Sequence, residues 1–433
     1  MIPLYPFILQ PLIYKPSCYL NKKVQKLQKG LAMFYLTFFS YVLLLIKLSS
    51  LSADADGFCS VPVADLIGTP MHVAQQQNLP IQQYKDQPYA NASNASVCTR
   101  LSQLLFNESV KILKEVGDEL YVEILHWYHI AGNPPKKQTT YWTHKNNITR
   151  FDTLSPLDLS KIPGQISFLE QNFKVDDIVT LKNFFHDKKS NLVYSAGTRF
   201  VKTKEQNQKK YCSVFAFNPT TKSFSVLNIP KKICLENILN NPIEKRKLFV
   251  QVLKEWSNQK GFIPYVFGGA SIGMPFDQNR FKEKNIKHNN KKISYYKRST
   301  KTEYKYGTDC AHTIARAAHI AQIPLFIKNT TTFKQELTPL KAQDTIENGD
   351  IIVWQGHTVV ISDIQKGLLI EARGYNHGYG ILQEIPFSEQ FQNIFSMQDL
   401  KDAYLHKTQI NRLDKTGKIV QKINDLQIMK LPI

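Results

Sequence analysis

Between residues 60 and 240, apolar and polar positions alternate in short runs broken by turn residues. Residues 109–114 alternate, Gly117 and Asp118 mark a turn, and residues 120–125 resume the alternation, which predicts a β-hairpin. Tyr141, Trp142 and Thr143 form a third, aromatic strand candidate. The same texture returns over residues 191–194, 197–201, 211–217 and 224–227. No long helical period interrupts these strands, so the pattern predicts two successive small all-β modules, over 56–160 and 161–240.

Beyond residue 240 the period changes. Residues 246–259 place Leu248, Val252, Leu253 and Trp256 on one helical stripe. A second helix is predicted over 310–322, packed through Ala311, Ile314, Ala315 and Ala318. Three apolar strands follow, over 350–354, 358–362 and 368–372. Helices first and an antiparallel sheet after predict an α+β domain over 241–433. Between Asn279 and Lys305 lies a basic, tyrosine-bearing segment that reads as a surface insertion.

The amino-terminal region addresses the compartment. Lys22, Lys23, Lys26 and Lys29 precede an apolar run, Leu31 to Ile46, and Ala53 and Ala55 form an A-x-A-like cleavage site. This order predicts a secretory signal within 1–55 and a mature protein without a stable membrane span. Met33 is an alternative start that would remove the basic flank, and the other reading of the run is an uncleaved anchor. Without the signal region five cysteines remain, an odd number. Cys59 with Cys98 and Cys212 with Cys234 are the economical pairings, which leave Cys310 alone; the alternative is five buried thiols.

The 433 residues carry 55 Lys and Arg against 35 Asp and Glu, a formal charge of +20. That balance attracts polyanions, whether nucleic acid, acidic lipid or an acidic wall polymer. Export and the lack of any recognition motif disfavour nucleic acid as a partner. No phosphate-binding glycine loop occurs, and neither a metal site nor a cofactor is implied. His126 and His129 sit three apart on a predicted strand and so face opposite ways, while His312 and His319 lie two turns apart on a helix without further ligands.

Cys310 carries the chemistry. It stands in Tyr306-Gly307-Thr308-Asp309-Cys310-Ala311-His312, where a helix begins. Unsatisfied N–H groups at a helix start stabilise a thiolate and the oxyanion formed by attack on an amide. A base and an orienting group are then needed. His357 opens one strand and Glu371 lies on the next. A three-residue loop, Ile364-Gln365-Lys366, sets Asp363 opposite Gly367 and Val359 opposite Glu371, which makes His357 and Glu371 diagonal neighbours on one face. His377, in the glycine-rich Tyr375-Asn376-His377-Gly378-Tyr379, is a lesser candidate for a substrate loop.

Pro264-Tyr265-Val266-Phe267-Gly268-Gly269, Asp309-Cys310, Asn348-Gly349-Asp350-Ile351-Ile352-Val353-Trp354, Gly356-His357 and Ile370-Glu371-Ala372 resemble, in order, the NlpC-type papain-like cell-wall cysteine peptidases. The segments around Pro62, Ser102 to Leu113 and Gly117 to Val122 resemble a bacterial Src-homology-3-like barrel, and the second module is a fainter match. By this resemblance Cys310 is the nucleophile, His357 the base and Glu371 the orienting acid. Tyr265 lines the site, and Asp309 contacts the free amine of a stem-peptide L-alanine. The family usually follows Asp-Cys with Ser-Gly, where this chain has Ala311-His312, and Phe267 stands where tryptophan is common. The arrangement resembles γ-D-glutamyl-L-diamino acid endopeptidases, which implies an exported, wall-associated hydrolase of peptidoglycan stem peptides. The alternatives are another thiol-dependent amidase or acyltransferase and an inactive wall-binding protein.

Overall fold

The computed structural model describes residues 55–433 apart from 77–80, 85–86, 91–99, 132–133, 169–176, 205–208, 260, 274–281, 289–290 and 298–305. The apolar run 31–46 and Cys98 lie outside the described residues. The described residues form one compact unit. No helix among the described residues is long and apolar enough to cross a membrane.

The fold is mixed α and β, with antiparallel sheets predominating. In the first module, strands from Gly57–Cys59 to Ile148–Arg150 build a seven-stranded sheet. The anticipated hairpin is Ser109–Val116 against Glu119–Glu123, and Thr140–His144 pairs with its second strand. In the second module, Ile178–Leu181 lies between Arg199–Val201 and Cys234–Leu235, and Tyr211–Asn218 pairs with Ser223–Pro230. Its core of Val179, Phe200, Val214 and Ile229 also takes in Phe58 and Phe106 of the first module. The modules therefore share buried surface, each large side chain contributing about 1.5–3 kcal/mol.

The third region centres on a five-stranded antiparallel sheet in the order Leu382–Pro386, Leu368–Ala372, His357–Asp363, Ile351–Trp354, Gln427–Met429. Period-2 alternation splits its side chains between two cores. Ile351, Val353, Val360 and Ile370 face the helices Pro242–Ser257 and Cys310–Ile320 through Phe249, Leu253, Ile314 and Ala318. Ile352, Trp354, Val359 and Leu369 face Phe387, Phe391, Leu400, Ile410 and Ile423 on the other side. Covering both faces explains why these strands read as nearly unbroken apolar runs.

Two details depart from the sequence expectations. His126 and His129 do not share a strand, since the strand there is His129–Ala131. Cys212 and Cys234 lie side by side in the second core as thiols, hydrogen-bonded to each other and without a disulfide. The Cys98 half of the other suggested pairing lies outside the described residues.

Candidate active site

Cys310 is the first residue of the helix Cys310–Ile320, and Asp309 is its N-cap. Asp309 Oδ1 accepts from the His312 N–H at 2.8 Å, and Oδ2 accepts from the Gly268 N–H at 3.2 Å and meets His312 Nδ1 at 2.8 Å. Gly268 has φ +68, and a Cβ there would collide with the Arg100 carbonyl of the first module. The glycine pair thus allows two backbones to meet beneath the helix start.

The first module holds this helix from behind. His312 Nε2 meets Ser102 Oγ at 2.9 Å. The buried Arg316 guanidinium pairs with Glu108, donates to the Ala270 carbonyl at 2.8 Å and stacks over Trp127. Glu108 also meets His126 Nε2 at 3.0 Å, and Arg316 with the His126 imidazole holds its carboxyl well below the usual range despite burial. His312 and His126 are therefore members of a buried polar network behind the nucleophile, and His319 stacks on Trp127 and meets the Leu325 carbonyl at 3.0 Å. Among the described residues no group of three or more His, Cys, Asp and Glu is arranged to hold a metal.

His357 and Glu371 meet as the register argument predicts. Val360 pairs with Ile370 and Ile361 with Leu369, the anticipated alignment. A bulge after Ile361 shifts only the loop end, where Asp363 pairs with Leu368 rather than Gly367. His357 Nε2 lies 2.9 Å from Glu371 Oε2. Trp354 packs edge-on against the imidazole with centroids 5.1 Å apart. With Nε2 committed to Glu371, Nδ1 is the nitrogen available to the thiol. The Cys310 sulfur takes hydrogen bonds from the N–H groups of Thr358, which follows His357, and of Ala311.

The electrostatics differ from a preformed thiolate. Burial, with the Asp309 charge beside it, pushes the Cys310 thiol up to about 12, against the Thr358 N–H and the Arg412 cation. Burial and Arg412 push the His357 imidazole down to about 4, although Glu371 favours its protonation. Glu371 overcomes its own burial through Arg373, His357 and Arg412 and falls to about 2. The resting state is a neutral thiol, a neutral imidazole and an ionised carboxylate. Helix-start N–H groups stabilise charge at this sulfur, and desolvation outweighs them.

Tyr265 is half-buried next to the helix start. Its N–H donates to the Gly380 carbonyl, and its phenol is raised well above its ordinary value by burial, with Cys310 and Asp309 nearby adding to the rise. His377 ends a short turn, Tyr375–His377, beside the site, with its imidazole held down to about 4 by burial and by Arg373 and Arg412.

Two residues of the site were missed by sequence reasoning. Arg373 Nη1 lies 3.7 Å from Glu371 Oε1, and Arg412 Nη2 lies 3.6 Å from Oε2. Arg373 stands two residues after Glu371, just past the end of its strand, a spacing that period 2 carries to the same side. Arg412 arrives on the hairpin Ile410–Leu413 and Ile419–Ile423, and nothing local to Glu371 announces it. No family model matches this chain, and no curated protein matches it in sequence.

Proposed function

We propose that this chain is an exported cysteine endopeptidase of peptidoglycan stem peptides, cutting the bond between D-glutamate and the diamino acid through a thioester. The observation that carries the reading is Cys310 at a helix start, hydrogen-bonded by the residue after His357, with His357 held by the buried Glu371. The papain-like assignment and the stem-peptide substrate rest on the motif resemblance, and export rests on the signal-like order of basic, apolar and small residues within 1–55.

In this mechanism His357 Nδ1 takes the thiol proton as sulfur attacks the amide carbon. With the His312 and Thr313 N–H groups taken by Asp309 and that of Ala311 turned to the sulfur, the Cys310 N–H remains to meet the oxyanion. Collapse expels the amine, which leaves with the proton from His357, and water activated by the same imidazole then hydrolyses the thioester. Glu371 holds the tautomer and offsets the transient imidazolium. Asp309 acts first as the helix cap, since both of its oxygens already have partners. Digestion of purified muropeptides followed by mass spectrometry tests the reading. Release of a fragment ending in D-glutamate supports it, and intact stems overturn it.

A further inference from the structure

Behind Glu371 the charge does not balance. Arg373 and Arg412 are both almost wholly buried, and among the described residues the one carboxylate within ion-pair distance of both is Glu371. Asp414, the next acid, spends Oδ1 on the N–H groups of Thr416 and Lys418 and on the Thr416 hydroxyl. Arg373 is anchored by Gln390 Oε1 and the Leu413 carbonyl and lies over the Tyr379 ring. Arg412 is different. Its guanidinium lies over Trp354, which itself packs on His357, yet among the described residues its buried Nε and Nη2 have no hydrogen-bond partner. Glu371, at 3.6 Å, gives Nη2 charge but no hydrogen bond.

A buried guanidinium with unmatched donors is costly, and the deficit has a definite shape. Nε and Nη2 form one edge of the guanidinium, two parallel N–H groups that match the two oxygens of a carboxylate. The guanidinium lies 5.1 Å from the Trp354 ring centre, that ring lies 5.1 Å from the His357 imidazole, and Nη2 is 3.6 Å from the carboxylate that holds His357, which puts Arg412 beside the catalytic pair. We propose that Arg412, with Arg373 behind it, forms a carboxylate-binding subsite beside the His357–Glu371 pair that takes the free α-carboxylate on the acyl side of the scissile amide. This rests on the endopeptidase reading. A γ-linked glutamate fits because it carries a free α-carboxylate a short carbon chain from the carbonyl under attack. An ordinary α-linked peptide has none there.

The test compares two stem tripeptides, one with the D-glutamate α-carboxylate free and one with it as the carboxamide. The full-length protein is expected to favour the free acid by about ten- to a hundredfold in kcat/KM, the range of a charge-assisted bidentate contact. In Arg412→Gln that ratio collapses toward one, and Arg412→Lys, which keeps charge without the fork, retains part of it. A wild-type ratio near one overturns the subsite. So does an Arg412→Gln protein that loses rate on both peptides by one factor, which would confine Arg412 to holding Glu371. Calorimetry on Cys310→Ala separates this inference from the proposed activity, because it needs no turnover. L-Ala-γ-D-Glu should bind at least tenfold more tightly than its α-carboxamide, and equal affinities overturn the subsite whatever the enzyme cleaves.

Discussion

His357 and Glu371 share a 2.9 Å contact with both side chains almost fully buried, and the carboxylate is simultaneously the counter-charge of Arg373 and Arg412. Glu371 therefore has two duties, one to the imidazole and one to the fold. Replacing it with glutamine keeps an acceptor for Nε2 and strands two buried cations. Removing one partner of a buried ion pair destabilises by about 3–5 kcal/mol. Glu371→Gln should keep partial activity, more than His357→Ala, while losing stability on that scale. Denaturant unfolding beside turnover checks it, and an unchanged midpoint would mean that the arginines find other partners.

Cys310→Ala should abolish hydrolysis, by roughly 10³-fold or more, without unfolding the chain. The side chain stands at the open end of its helix, and the helix is held by Asp309, His312 and Arg316, none of which bonds the sulfur. Undiminished activity in a folded Cys310→Ala protein would remove the nucleophile assignment.

The neutral resting pair has a kinetic signature. With the thiol near 12 and the imidazole near 4, no thiolate plateau exists at neutral pH. Alkylation of Cys310 by iodoacetamide in the free protein should be slow at pH 6–8 and keep rising toward high pH. A fast plateau from pH 5 upward would show a thiolate–imidazolium pair instead.

Asp309 divides the cap from the substrate contact. Its carboxylate accepts from the His312 and Gly268 N–H groups and holds the His312 imidazole. Asp309→Ala should therefore destabilise by about 0.5–2 kcal/mol through the lost cap. Tripeptides with a free or an acetylated L-alanine amine should react within about threefold of each other, under 1 kcal/mol of discrimination. A strong preference for the free amine that vanishes in Asp309→Asn would restore the ammonium contact.

What the sequence disclosed was local. The period-2 runs located the strands because each is buried against a core, and the hairpin arithmetic placed His357 and Glu371 together because one face of their sheet is defined by apolar alternation. The bulge after Ile361 escaped it, since Ser362 is as compatible with a regular ladder as with a bulge. The interplay of Arg316 with Glu108, and of Arg412 with Glu371, joins residues 208 and 41 positions apart. Such contacts follow from packing of whole modules, to which no local pattern has access. The thiol's neutrality was likewise hidden, because it depends on how deeply the helix start is buried.

The histidines make stability depend on acid. Burial is the leading cause that lowers His126, His129, His319, His357 and His377, with His129, His357 and His377 at about 4. An unfolded chain protonates its histidines near 6.5, so between about 6.5 and 4 the unfolded state binds more protons than the folded one. Stability should be full above about pH 6.5 and fall as pH drops through that window. Glu371 acts in a separate window, because a carboxyl lowered to about 2 loses its contribution only as pH falls from about 4.5 toward 2. Thermal unfolding at constant ionic strength should therefore show Tm level from pH 8 to 7 and declining from pH 6.5 to 4.5. In His357→Gln, which cannot titrate, the decline should be shallower. A Tm that stays level down to pH 4.5 would mean that these imidazoles are hydrated and protonated in the folded protein, and would remove the neutral His357 on which the proposed proton transfer depends.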